Sequence, residues 1–202
     1  MLCGCIPEAA ALILYYSLLH LLGKKQSAGH IFTSFVFCFY LIGVLTVTGI
    51  CIKAAFSPRI VYIPFADMIR GPKDTALNVL LFLPMGFFLP MLYKIYNSIA
   101  KVAFAGFLIS LSIEIVQLFG FGATDINDLI TNTVGTCLGY YAYRWICTII
   151  PETWVKEIQV DGVQCCYKLP VFWIGSSLIM LTIQVHIFHA LFQSVGEMQA
   201  WQ

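Results

Sequence analysis

Three carboxylates and two amides stand in or beside apolar segments of this sequence, and they are its strongest candidates for chemistry. Glu114 is followed one helical turn later by Gln117, while Asp125, Asp128 and Asn132 have the spacing of residues on one side of a helix. Carboxylates can act as general acids or bases, or hold a hard cation such as Mg²⁺ through oxygen ligands. Glu114, Asp125 and Asp128 are therefore candidate metal ligands, although we predict neither a bound metal nor another cofactor.

The composition indicates that these polar residues belong to a membrane protein. Of the 202 residues, 60% are hydrophobic and 10% are charged, whereas soluble domains have about 25% charged residues. A soluble chain of this length could not bury so much apolar surface. The formal net charge of +1 excludes a strongly basic nucleic-acid binder. The lipid bilayer is therefore the expected environment, and no nucleic-acid partner is expected.

Six apolar segments could cross the membrane. A spanning helix needs roughly 20 apolar residues, and the candidate segments are 9–22, 31–52, 76–93, 102–119, 129–150 and 170–192. Backbone groups in lipid must be hydrogen-bonded within the segment, so each is expected to be a helix. The sequence therefore predicts an all-α, polytopic helical bundle that forms a single membrane domain, 1–202. It has six spans, or five if the first segment only lies at the interface.

Proline and glycine residues are expected to shape the third and fifth spans. Pro84 removes a backbone donor and should kink the third span close to Gly86. Gly135 and Gly139 form a GxxxG pair, a pattern that lets helices approach closely in membranes. The longest polar stretch, 151–169, is predicted to be a cytoplasmic loop or a small hairpin.

The positions of lysine and arginine indicate the orientation of the bundle, because cytoplasmic loops are enriched in them. If both termini are outside, the cytoplasmic loops hold seven of the eleven basic residues: Lys24, Lys25, Lys94, Lys101, Arg144, Lys156 and Lys168. The other four share one external loop, 53–73. We therefore predict that both termini are external, or that the N-terminus is internal if the first segment only lies at the interface.

In this orientation, polar residues from three spans and one loop gather in the outer half of the membrane. The third span begins there with Asn78, and the external loop supplies Arg59 and Arg70 as candidate countercharges. Thr124 is the expected N-cap of the fifth span. An ionisable residue inside a membrane is costly and is a functional candidate for that reason. The predicted cluster, which could instead be a structural hydrogen-bond network, comprises Arg59, Asn78, Glu114, Gln117, Asp125, Asp128 and Asn132.

Four ordered motifs resemble those of the VanZ-like family. Residues 78–86 (NVLLFLPMG) are similar to its NxxxFxPxG signature, and 123–135 (ATDINDLITNTVG) resemble its DxxDxxxNTxG helix. Residues 112–117 and 59–65 resemble two further motifs, with Tyr62 at a position where the family usually has asparagine. Together these motifs define a VanZ-like core at 59–143.

The resemblance implies a multi-pass protein of the bacterial plasma membrane, associated with resistance to teicoplanin and related lipoglycopeptide antibiotics. The expected partners are then such an antibiotic or a lipid-linked cell-wall precursor. Asn127 stands where many members carry a third aspartate, which weakens any mechanism that needs three adjacent carboxylates.

Three functions remain open at this stage. The first is a non-enzymatic resistance protein that alters how the antibiotic engages the membrane or the precursor, with an apolar groove beside Pro84 and Pro90 as a conceivable site for a lipid tail. The second is a membrane enzyme that acts on a lipid-linked envelope substrate through its external carboxylates. The third is a small transporter or channel.

Overall fold

Helices form nearly all of the chain that the structure describes. The computed structural model describes residues 2–24, 26–48, 60–61, 71–118, 124–161 and 168–182. Its helices are α1 (Leu2–Leu21), α2 (Ala28–Val47), α3 (Pro72–Leu92), α4 (Ile99–Leu118), α5 (Ile126–Ile146), α6 (Glu152–Ile158) and α7 (Lys168–Thr182). The strands β1 (Ile60–Val61) and β2 (Thr124–Asp125) pair in parallel, with residue 60 opposite residue 124. The predicted all-helical class is confirmed for these residues.

Four helices are long and apolar enough to cross a membrane, namely α1, α2, α3 and α4. Helix α5 has 21 residues but is interrupted by polar side chains, and α7 is shorter over its described residues. The chain is therefore a membrane protein, while the count of six spans stays a prediction. Helix α3 continues through both Pro84 and Pro90 as one helix, and the expected kink likewise stays a prediction.

The helix starts follow from local capping. Ser27 caps α2, its side chain accepting a hydrogen bond from the backbone N–H of His30 at 3.1 Å. The expectation of Thr124 as the cap of α5 was wrong, because the cap is Asp125. The backbone is still extended at Asp125, with φ −124° and ψ 123°, so the helix begins one residue later than the sequence suggested.

The closest packing in the bundle is the backbone contact between α3 and α5. A methyl group on Gly86 would overlap the carbonyl of Thr136, and methyl groups on Gly135 or Gly139 would overlap carbonyls of α3. Gly135 lies against Val79, and Gly139, one turn later in α5, lies against Leu83, one turn later in α3. The two helices therefore run parallel. Helix α4 runs antiparallel to both, with Gly106 packed against the side chain of Thr136.

The segment that we predicted to be a loop or a hairpin contains the short helix α6. The amide of Gln159 donates to the carbonyl of Pro90 at 2.7 Å, and the backbone of Val160 bonds to the end of α3. Lys94 and Asp161 form an exposed ion pair at 2.7 Å, whose hydrogen bond raises the pKa of the lysine above its ordinary value. The segment is therefore docked on the bundle. Residues 162–167, with the rest of the predicted hairpin, lie outside the described residues.

Replacing Gly139 by alanine tests the backbone contact between α3 and α5. The added methyl group would overlap a rigid carbonyl, and we expect the free energy of unfolding to fall by about 1–3 kcal/mol, the usual cost of overpacking. Denaturant unfolding in detergent micelles measures this loss. The matched control is Gly43→Ala in α2, where a methyl group would have nothing within 4 Å. Equal effects of the two substitutions would contradict the close contact.

Candidate functional site

The side chain of Glu114 holds the start of α5 against α4. Glu114 is 4% exposed, and its Oε2 accepts a hydrogen bond from the backbone N–H of Asp125 at 2.9 Å. The N–H groups at a helix start have no partner within the helix. A carboxylate there supplies an acceptor and also suits the positive end of the helix dipole. Glu114 therefore couples two helices through one hydrogen bond.

The side chain of Asp125 closes the first turn of α5. Its Oδ1 accepts from the backbone N–H of Asn127 and from the Asn127 amide, both at 2.8 Å. Asn127 is 4% exposed. An amide can donate a hydrogen bond, whereas an ionised carboxylate can only accept one. Asparagine at position 127 therefore adds a bond to Asp125 that an ionised aspartate there could not make.

Two further bonds tie α5 to α3 and α4. The Asn78 amide of α3 donates to Asp128 Oδ1 at 2.6 Å. One turn further along α5, the Asn132 amide donates to Ser110 Oγ of α4 at 2.9 Å, and both of these residues are buried. We call the residues joined by these bonds the carboxylate network: Asn78, Ser110, Glu114, Asp125, Asn127, Asp128 and Asn132.

Of the other two residues of the predicted cluster, Gln117 bonds elsewhere and Arg59 is not described. The Gln117 amide donates to the carbonyl of Thr48 at 3.0 Å and so ties α4 to the end of α2. Arg59 lies outside the described residues, as does Arg70. Their role as countercharges to the network therefore stays a prediction.

The three carboxylates act in this arrangement as hydrogen-bond acceptors. Each accepts from a backbone N–H or from a side-chain amide. Among the residues that the structure describes, no three histidine, cysteine, aspartate or glutamate side chains are grouped closely enough to hold a metal ion. In the described residues these side chains form hydrogen bonds that connect neighbouring helices.

Comparison with known proteins decides the family. The family model described as VanZ/LLP1 matches residues 10–148, which is more than half of the chain. The chain belongs to the VanZ/LLP1 family. The predicted resemblance is thus confirmed, and the matched region contains every residue of the carboxylate network.

One curated relative is Protein VanZ of Enterococcus faecium. The two are 46% identical over 67 residues, which is 33% of this chain and 41% of the relative. The match therefore spans about two-fifths of the length of that relative. No solved structure matches this chain.

Sequence analysis missed a buried acidic residue in α1. Glu8 is 3% exposed and accepts a hydrogen bond from Ser176 of α7 at 3.0 Å. The predicted first span began at residue 9, so Glu8 was left outside it, whereas α1 begins at Leu2. The series Glu8, Leu12 and Tyr16 shows the four-residue spacing of a buried helix face. That spacing was the signal that could have placed Glu8 inside.

A buried basic residue was also misplaced. Lys168 was counted among the exposed loop lysines, but it is 1% exposed, and its Nζ lies 5.9 Å from the centre of the Tyr93 ring. His30 lies beside the same ring, and its Nδ1 is 2.8 Å from the carbonyl oxygen of Ile158. Family membership in the matched region does not assign a role to these residues.

Two substitutions of Glu114 separate the contribution of its negative charge from that of its hydrogen bond to Asp125. In Glu114→Gln the amide oxygen can still accept from the Asp125 N–H, so we expect a nearly unchanged free energy of unfolding. In Glu114→Leu that N–H loses its acceptor, and we expect a loss of about 1–3 kcal/mol. Thermal and denaturant unfolding of the purified variants measure both. If the glutamine variant were as unstable as the leucine variant, the hydrogen bond to Asp125 would not be the source of the stability that Glu114 provides.

Proposed function

We propose that this protein contributes to bacterial resistance against teicoplanin and related lipoglycopeptide antibiotics. It would do so from the plasma membrane, as a multi-pass protein that alters how the antibiotic engages the membrane or the cell-wall precursor. The observation that carries the proposal is the VanZ/LLP1 match over residues 10–148. The 46% identity to Protein VanZ over part of the chain supports it further.

The geometry of the carboxylate network favours a role without bond making or breaking. Glu114, Asp125 and Asp128 each accept a hydrogen bond that joins helices or caps one. Carboxylates held in this way position the ends of α3, α4 and α5 relative to each other. The alternative, an enzyme acting on a lipid-linked envelope substrate, would use the second oxygen of one of these carboxylates to exchange a proton or to hold a cation.

The network lies at the end of the bundle where the antibiotic would arrive in the predicted orientation. Lipoglycopeptides act at the outer face, and α3 and α5 both begin at the network end. Strand β1 pairs with β2 there, so residues 60–61 lie beside the start of α5. We propose that this end of the bundle, with the network, forms the surface that affects the antibiotic.

Expression in a susceptible bacterium tests the proposed function. We expect the minimum inhibitory concentration of teicoplanin to rise several-fold, and that of vancomycin to change little, because only teicoplanin carries a lipid tail that concentrates it at the membrane. Cells with the empty vector serve as the reference. Equal changes for both antibiotics, or no change for either, would contradict the proposal.

Amide substitutions separate the non-enzymatic role from carboxylate chemistry. Asp125→Asn and Asp128→Asn keep an acceptor oxygen in place, so we expect resistance to be retained with a normal amount of protein in the membrane. An enzyme that depends on either group would lose roughly 100-fold or more of its activity, and resistance would disappear. Asp74→Asn is the matched control, because Asp74 is an exposed acidic residue in the first turn of α3. Loss of resistance in either Asp125→Asn or Asp128→Asn, with intact protein and an active control, would favour the enzyme.

A further inference from the structure

An apolar groove lies between α4 and α7, and its Lys101 end is at the end of the bundle away from the network. It has a volume of about 460 Å³ and is lined by α4 between Lys101 and Ser112, by the first turns of α7, and by the 3₁₀ turn that follows α3. The sequence suggested an apolar groove beside Pro84 and Pro90. The groove described here is lined by neither proline, and Trp173 forms part of its wall.

Two polar side chains in the wall of this groove are hydrogen-bonded within the protein. The indole N–H of Trp173 donates to Ser112 Oγ at 2.9 Å. The Ser112 hydroxyl in turn donates to the carbonyl of Ile109 at 2.6 Å. The remaining surface of the groove is mainly aliphatic and aromatic, including exposed faces of Phe104 and Leu108. A hydrocarbon chain can therefore lie against Trp173 without leaving the indole N–H unsatisfied.

The length and charge of the groove match those of one leaflet lipid. Lys101 and Ser112 are eleven residues apart on one helix, which corresponds to about 16 Å at 1.5 Å per residue. One leaflet of the hydrocarbon core is about 15 Å thick, half of the roughly 30 Å of the bilayer core. The exposed ammonium of Lys101 stands at one end of the groove, close to Tyr96. An aromatic residue and a lysine are the usual side chains at the lipid–water boundary.

We propose that this groove binds one acyl chain of an anionic phospholipid, with the lipid phosphate paired to Lys101. The positive charge at the mouth favours a headgroup with net negative charge, such as phosphatidylglycerol, over a zwitterionic one. Glu114 and Lys101 lie near opposite ends of α4, so the charged mouth of the groove is at the other end of this helix from Glu114. The proposal does not depend on the proposed function.

Fluorescence quenching of Trp173 tests the lipid site. The protein is prepared with Trp145, Trp154 and Trp201 replaced by phenylalanine, so that Trp173 is the single tryptophan of the variant. It is reconstituted in phosphatidylcholine vesicles that contain a minor fraction of brominated phosphatidylglycerol or of brominated phosphatidylcholine. We expect the anionic lipid to be enriched at Trp173 roughly five-fold over the zwitterionic lipid, the preference that one lysine near the membrane surface supplies.

Two substitutions and a control make this test specific. Lys101→Gln, at an exposed position, should reduce quenching by the anionic lipid to the level of the zwitterionic one. Ala105→Leu should fill the groove and lower quenching by both lipids. Lys73→Gln, at an exposed lysine in the first turn of α3 and thus at the other end of the bundle, should leave the preference unchanged.

Three outcomes would overturn the proposal. Equal quenching by the two lipids in the protein with Lys101 would mean that the groove does not select a charged headgroup. An unchanged preference in Lys101→Gln would assign the selectivity to another residue. Quenching by neither lipid would mean that protein covers the groove, either another segment of this chain or a second copy. Because Lys101→Gln alters no buried group, its result stands even if Ala105→Leu does not fold.

Discussion

The contact between the backbones of α3 and α5 is the constraint on which the candidate site depends. Helices in lipid gain little from the hydrophobic effect when they associate, so close packing and hydrogen bonds between them must supply the stabilisation. The absence of side chains at Gly86, Gly135 and Gly139 brings carbonyls of one helix against the axis of the other. That approach also fixes the register of the two helices. In this register the Asn78 amide lies 2.6 Å from Asp128 Oδ1, a bond that even a small separation of the helices would break.

The polar residues of the network could be found from the sequence because they interrupt apolar helices. Asn78, Glu114 and Asp128 are costly in lipid unless they are paired, and alternation of the spans placed them at one end. Their individual partners could not be predicted. Whether Asp128 meets an amide or a lysine depends on helix rotation, which the hydropathy pattern does not specify. The pairing of Asn132 with Ser110 was hidden for the same reason, since serine alone is common in membrane helices.

The misplaced residues have a different origin, which is the use of hydropathy to set helix ends. Glu8 and Lys168 were excluded from the spans because charged residues usually mark a boundary. Both are nevertheless buried, since the long α1 and the start of α7 provide protein surroundings in place of lipid or water. The N-cap of α5 was a smaller error of the same type, since Thr124 was expected and Asp125 is the cap. The backbone at Asp125 is still extended because this residue pairs with β1. Helix type was thus predictable from composition, and helix ends were decided by tertiary contacts.

The position of α5 in the chain has a consequence for biogenesis. Chains are made from the N-terminus, so α3 and α4 reach the membrane before α5 has been translated. Asn78, Ser110 and Glu114 therefore enter a membrane environment before Asp128, Asn132 and the Asp125 N–H have been made. Translation of α5 and its cap then supplies these three partners within a few turns of chain. Until then the insertion machinery, or water retained at the membrane surface, has to accommodate a carboxylate and two polar side chains without them.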